Sequence, residues 1–240
     1  MSRNVIFRST IDVELVKGSA SDLDVVFSAR VSTEGERTRD HEAGELTDKE
    51  AGLINFLMRE RHGTPFEHSY FTFYVNAPIF VWREHMRHRI ASYNEESGRY
   101  RVLDPVFYVP DENRKLVQTG KTGAYTFEFG TDEQYAITRV QLYHTCQVAY
   151  SAYEEILAAG VAREVARMAL PVNIYSSAYV TMNARALMNF LSLRLIAEDS
   201  QYPSYPQREI EMVAEKYEDI FRKTMPATYA AFVKNGRVAP

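Results

Sequence analysis

RHRIASYNEESGRY, residues 87–100, gathers Arg87, His88 and Arg89 with Ser92, Asn94, Glu95, Ser97 and Arg99 and has few apolar side chains. A solvated loop or an internally paired charge network would explain so many hydrogen-bonding groups. A site for an anion, such as a phosphorylated ligand, explains them equally well. The surrounding composition sharpens the choice. The net charge is −4, yet residues 83–101 carry five arginines against three glutamates. A locally positive segment on an acidic chain points to a small anionic ligand rather than to nucleic acid or an anionic membrane.

Working outward, Pro78 suits the first turn of a helix over PIFVWREHMRHR, so the motif is expected where a helix ends and a loop begins. Arg83 and Arg87 would then share a helix face at like-charge spacing, which is unfavourable without an anion nearby. SYFTFYVNA (69–77) alternates like a strand. Further strands are expected near Ile11–Lys17, in VLDPVFYVP and in NIYSSAYVTM. A helix capped by Ser21 or Asp22 runs through Arg30. The polar loop STEGERTRDHEAGEL precedes a helix from Asp48 to His62 with Leu53, Phe56 and Leu57 on one face. GTPFEH reads as a loop, and the Gly-containing stretch 111–131 as an ordered excursion. A long helix from Asp132 to Ala159 closes at Gly160, and helical patterns follow at 162–170, 183–197, 207–223 and 226–234. With 240 residues, 45% of them apolar, and no repeat or linker, one α+β domain over 1–240 is expected, a mixed or antiparallel sheet flanked by helices.

The helix at 183–197 is apolar around most of its circumference: Ala184, Ala186, Leu187, Met188, Phe190, Leu191, Leu193 and Leu195. Arg185, Asn189 and Ser192 form its polar stripe. Arg194 projects beside Asn183, Leu187 and Phe190. A guanidinium in that company needs a partner, either a protein carboxylate or a ligand.

Several chemistries lack their signatures. There is no Walker A loop, no G-x-G-x-x-G, no nucleophile elbow and no paired-cysteine zinc motif. Glu84, His85 and His88 could in principle ligate a metal, but the flanking arginines would repel a cation, and no metal is expected. The single cysteine, Cys146, reads as a small half-buried thiol in a helix and fits a reducing, cytoplasmic setting. MSRNVIFRST has no signal-peptide h-region, and no apolar run has the length of a membrane span. Ser97 has no activating base in view and makes more sense as a donor to phosphate oxygens, with Gly98 letting the backbone approach. Anion holders without a nucleophile suggest either binding alone or chemistry carried by a cofactor.

RHRIASYNEESGR also matches R-H-R-x-x-S-x-N-x-x-S-x-R at Arg87, His88, Arg89, Ser92, Asn94, Ser97 and Arg99. The chain resembles the flavin-dependent thymidylate synthases (ThyX), and HGTPFEH, REVARMALP and NARALMNFLSLR extend the likeness in the family's order. The resemblance implies a homotetramer with long helices in its core and active sites shared between subunits. It implies FAD as cofactor, with dUMP, methylenetetrahydrofolate and NADPH as substrates, and no enzyme cysteine. Glu84, Arg87, Glu95, Glu96, Ser97, Gly98, Arg99 and Arg167 would line the dUMP site. Arg194 would be catalytic, contacting the uracil and favouring its ionised form. His62, Thr64, Arg87, His88, Arg89, Glu95, Asn183, Arg185 and Asn189 would contact FAD. Two departures stand out: Glu84 occupies a position where some members carry glutamine, and the stretch after Arg194 is long, with Tyr205 where some members carry a histidine. A nucleotide-binding module without turnover and a metal-dependent nucleotide hydrolase are the rival readings.

Overall fold

A computed structural model describes residues 4–34 and 45–240; most of the polar loop read at 32–46 lies outside them. In chain order the elements are β1 Ile6–Arg8, β2 Asp12–Ser19, α1 Asp22–Glu34, α2 Asp48–Arg59, a 3-10 turn Thr64–Glu67, β3 Tyr70–Pro78, α3 Ile79–His85, β4 Ser92–Glu95, β5 Val106–Tyr108, β6 Val117–Lys121, β7 Ala124–Glu128, α4 Asp132–Ala158, α5 Arg163–Ala166, a 3-10 turn Arg167–Ala169, β8 Tyr175–Asn183, α6 Ala184–Arg194, α7 Arg208–Thr224 and α8 Pro226–Lys234. The class is α+β. One four-stranded sheet has the order β2-β3-β8-β4; β1 pairs with β5 in parallel, and β6 with β7 antiparallel. No helix among the described residues is long and apolar enough to cross a membrane.

The chain divides into two compact units. The first takes in the chain up to Asp12, Asn76–Arg87 and Asn94–Ala178; the second takes in Val13–Val75, His88–Tyr93 and Tyr179–Pro240. In the first, α4 brings Cys146, Tyr150 and Tyr153 against Leu103, Phe107, Ala166 and Ile174. The two tyrosines also satisfy the buried backbone of Leu103: Tyr150 Oη donates to its carbonyl at 3.0 Å, and its amide donates to Tyr153 Oη at 3.3 Å. A phenol thus fills core volume and pairs a polar group that burial would otherwise orphan. In the second unit, Phe73, Tyr217 and Phe190 form a buried aromatic chain, with centroids 4.2 and 5.3 Å apart. Asp22 accepts from Ala227 N, Thr228 N and Thr228 Oγ1 at 2.9, 2.8 and 2.6 Å, capping the first turn of α8 from more than two hundred residues away.

Several sequence expectations are corrected. α3 ends at His85, so Arg87 lies past the Met86 cap and does not share a helix face with Arg83. The i,i+4 repulsion between Arg83 and Arg87 that a longer helix would impose is thereby avoided. GTPFEH contains a 3-10 turn with Pro65 in its first positions. Phe56 lies on the outside of α2 at 43% exposure; Ile54, Leu57 and Met58 face inward. The 111–131 excursion is the β6–β7 hairpin, turning at Thr122–Gly123 with Gly120 and Gly123 at φ +88° and +86°. Of its strands, VQTGK lacks the apolar alternation that marks a half-buried strand and AYTFE carries it only at Tyr125 and Phe127, while a Thr119–Thr126 hydroxyl pair at 2.7 Å ties them across. α6 stops at Arg194, where Leu195 becomes extended, and Cys146 is buried rather than half-buried.

Candidate active site

In the first unit, α3 is fixed by its indole: Trp82 Nε1 donates to Ala77 O at 3.1 Å and Ser176 O at 3.0 Å. This sets the height at which partly buried Glu84 and the following turn, with exposed Arg87, emerge. The motif then runs along β8. Ser176 Oγ donates to a Glu95 carboxylate oxygen at 2.5 Å. Glu96 exchanges two bonds with Ser177: its amide donates to the Ser177 carbonyl at 2.8 Å, and the Ser177 amide donates to its carboxylate at 2.8 Å. The other Glu96 oxygen meets Arg101 at 3.1 Å. Glu96, expected as a nucleotide contact, braces the loop in this structure.

Beyond Glu96 the chain turns tightly. The Ser97 carbonyl accepts from Tyr100 N and Arg101 N, and Ser97 Oγ accepts from Arg99 N at 3.2 Å. Gly98 is buried. A β-carbon there would stand 3.2 Å from Leu103 Cδ1 and 3.3 Å from Arg167 Cδ, so any side chain would require both neighbours to give by a few tenths of an ångström. Arg99 pairs with Glu164 at 2.8 Å, both side chains about half exposed. The turn 97–99 and the REVARMALP segment, far apart in sequence, thus converge. The pair Arg99–Glu164 is a weak surface ion pair that an incoming dianion could displace.

In the second unit, α6 carries the other expected residues. Asn183 caps it, Oδ1 accepting from Ala186 N at 2.8 Å. Arg185 and Asn189 lie exposed on its polar stripe. Arg185 donates to Glu67 at 2.6 Å and to the Pro240 carbonyl at 2.5 Å. It passes so close to Gly63 that a β-carbon there would stand 2.5 Å from Arg185 Nε. Exposed Thr64 follows Gly63, and exposed His62 sits edge-on to Phe56 at 5.9 Å. Arg89 is exposed.

At the C-terminal end of α6, Arg194 Nε donates to His88 Nε2 at 3.1 Å. The acceptor is thus an imidazole, a partner that the helical wheel did not suggest. The His88 ring lies 4.5 Å from Phe190, and its carbonyl accepts from Tyr93 Oη at 2.9 Å. Burial, reinforced by the Arg194 charge, lowers the His88 pKa to about 4, so the ring is neutral at physiological pH and can accept.

The expected dUMP contacts other than Arg194 thus fall in the first unit. The expected flavin contacts other than Arg87 and Glu95 fall in the second. Sequence reasoning missed Ser176, Ser177, Glu164 and Tyr93, and counted Arg101 only as one charge of the positive segment. Ser176 and Ser177 lie 81 residues from the glutamates they hold, and no local pattern marks them. Among the described residues no group of three or more His, Cys, Asp or Glu could hold a metal ion, and His85 is fully buried beside the Trp82 ring.

The thymidylate synthase complementing protein family model matches residues 14–227. A flavin-dependent thymidylate synthase of Tropheryma whipplei (strain TW08/27) is 61% identical over 235 residues, covering 98% of this chain and 97% of its own. One from Streptomyces avermitilis is 60% identical, with 98% and 95% covered. Among solved structures, the UMP/dUMP methylase PolB of Streptomyces cacaoi bound with 5-Br dUMP superposes with a TM-score of 0.92 at 51% identity, over 98% of this chain and 100% of that one. Extending through segments of both units, these likenesses show that the chain belongs to the flavin-dependent thymidylate synthase (ThyX) family.

Proposed function

We propose that the protein methylates dUMP to dTMP, with FAD as cofactor, methylenetetrahydrofolate as carbon donor and NADPH as reductant. We further propose that it works as a cytoplasmic homotetramer with long helices at its core and shared sites, its two units acting as one catalytic domain over 1–240. The observation that carries this reading is the convergence of Ser97, Gly98 and Arg99 with Arg167. A hydroxyl, a backbone without a β-carbon and two guanidinium groups suit a phosphate dianion. Glu84, Arg87, Glu95 and Glu96 would complete the nucleotide site.

Arg194 would face the uracil. A fixed guanidinium beside a ring that gains negative charge lowers the barrier more than it lowers the ground state. Cys146 supports a reaction without an enzyme nucleophile: its thiol is buried, burial raises its pKa, and Asn173 occupies it at 3.3 Å.

His62, Thr64, Arg87, His88, Arg89, Glu95, Asn183, Arg185 and Asn189 fit FAD in donor chemistry. Exposed Arg89, Arg185, Thr64 and Asn189 supply cations and neutral donors for a polyanionic dinucleotide, and neutral His88 suits an uncharged ring system. When bound, the flavin supplies hydride. The test is dTMP formation by the purified protein from dUMP, methylenetetrahydrofolate and NADPH, with and without FAD. Flavin-dependent dTMP is expected; none, with nucleotide binding intact, would leave a binding module instead. Dependence on an added divalent metal, with release of phosphate from dUTP, would favour the hydrolase reading. UMP belongs in a parallel arm, because PolB is a UMP/dUMP methylase.

A further inference from the structure

Arg194 is gripped by groups for which the proposed chemistry has no use of this kind. His88 Nε2 accepts its Nε–H at 3.1 Å. His88 is itself held from two sides, at its ring and at its backbone. Its ring lies against Phe190, which leans on buried Tyr217 from α7. Its backbone carbonyl accepts the Tyr93 hydroxyl at 2.9 Å. A bond at Nε fixes the guanidinium plane, and with it the direction of the two terminal nitrogens.

We infer that Tyr93 and His88 are positioning residues for Arg194, the phenol anchoring the His88 backbone and the neutral imidazole orienting the guanidinium. The inference rests on the uracil-facing role proposed for Arg194. The same assembly responds to acid. A protonated imidazole is a donor at both nitrogens and could not accept from Arg194; two cations would face each other instead. Arg194 is the charged group that acts on the ring. The neighbouring phenols stay neutral, since burial raises Tyr93 to about 12 and Tyr217 well above its usual value.

The test uses the full-length flavin-loaded enzyme with labelled histidine and two readouts. In the nitrogen NMR titration, wild-type His88 should remain neutral well below pH 6.5, the unperturbed value. Its midpoint should rise in Arg194→Ala, which removes the repelling charge, and in Tyr93→Phe, which loosens the ring. In single-turnover oxidation of the flavin driven by dUMP, Tyr93→Phe should lose about two- to tenfold in rate, the factor one net hydrogen bond represents. The acid limb of its rate profile should move up in pH. His88→Gln, an acceptor that does not titrate, should retain more activity than His88→Ala and lack that limb.

If wild-type His88 titrates near pH 6.5, or ignores Arg194→Ala, the inference is overturned directly. It is equally overturned if the NMR coupling holds but Tyr93→Phe and His88→Gln keep the wild-type rate and profile. A flavin-loaded Arg194→Ala enzyme with undiminished rate would remove the uracil role itself, and that failure is recognisable because the NMR coupling would persist without it.

Discussion

Gly98 approaches Arg167 so closely that a β-carbon on the glycine would lie 3.3 Å from Arg167 Cδ. The same carbon would meet buried Leu103 Cδ1 at 3.2 Å. Both distances are tighter than ordinary van der Waals contact, so Gly98→Ala must displace both neighbours slightly. Leu103 is locked in the core, whereas the exposed Arg167 side chain can swing. The expected outcome is overpacking of about 1–3 kcal/mol, seen as a lower thermal midpoint, with a raised KM for dUMP. An unchanged KM would separate Arg167 from nucleotide binding.

Ser97 plays two parts that one substitution can resolve. Its carbonyl anchors the turn, while its hydroxyl accepts from Arg99 N at 3.2 Å and could donate its proton to phosphate. Ser97→Ala removes the hydroxyl and leaves the carbonyl in place. dUMP affinity should fall by roughly 1.5–3 kcal/mol, the cost of a charge-assisted hydrogen bond. Turnover at saturating dUMP should remain measurable. Total loss of turnover with dUMP still bound would instead indicate a nucleophile.

Cys146 should be dispensable to the chemistry. Its sulfur is enclosed by α4 and Asn173, and the raised pKa keeps it a thiol. Cys146→Ala should turn over near the wild-type rate, and a thiol reagent should react slowly with the native protein and quickly after denaturation. The missing sulfur leaves a small void and an unpaired Asn173 bond, so a lower melting temperature is the measurable cost. A large fall in rate at full flavin loading would contradict the cysteine-independent reading.

The long helix α4 was legible because its ends are written in residues: Thr131 forms a capping box with Gln134, and Gly160 takes φ +81° after the last turn. The motif at 87–99 stands out in the sequence because its chemistry, a cluster of donors around a glycine, is local. The β6–β7 hairpin was not legible, because VQTGK has no apolar alternation, AYTFE has only Tyr125 and Phe127, and two left-handed glycines interrupt the segment. The partners of Glu95 and Glu96 were not legible either. They are set by the alignment of β8 with the motif, a tertiary fact without a local signature. Arg194 could be recognised as needing a partner, but that the partner is an imidazole follows from where the chain turns after α3.

His88 also predicts how stability depends on pH. The unfolded chain takes up a proton near pH 6.5, whereas the folded protein resists until about pH 4. Between those values the unfolded state binds more protons, so stability rises with pH. The contribution is complete above the unfolded value and is lost progressively as pH falls toward the folded one. Glu50, whose carboxyl Thr47 holds below its usual range, acts in the same sense at lower pH. That effect is shared by wild type and His88→Gln and cancels in their comparison. Between about pH 7 and pH 5 the wild-type melting temperature should therefore fall more steeply than that of His88→Gln. Parallel curves would show that His88 is not held neutral.

Arg194 is the strongest single test of the proposed chemistry. It ends α6, partly buried, with Nε committed to His88. If its charge acts mainly when the uracil ring becomes anionic, removing it should lower the rate of the chemical step beyond any loss of dUMP binding. Arg194→Ala should slow single-turnover flavin oxidation with dUMP and folate saturating, by about a hundredfold or more, the scale of one preorganised donor to a developing anion. Arg194→Lys should recover little, because an ammonium cannot give one N–H to His88 and present a planar pair of nitrogens to the ring at once. Leu187, Phe190 and Leu191 on the same helix are core residues, so oligomeric state and melting temperature must first match the wild type. A correctly assembled, flavin-loaded Arg194→Ala enzyme running at the wild-type rate would reduce Arg194 to a structural partner of His88.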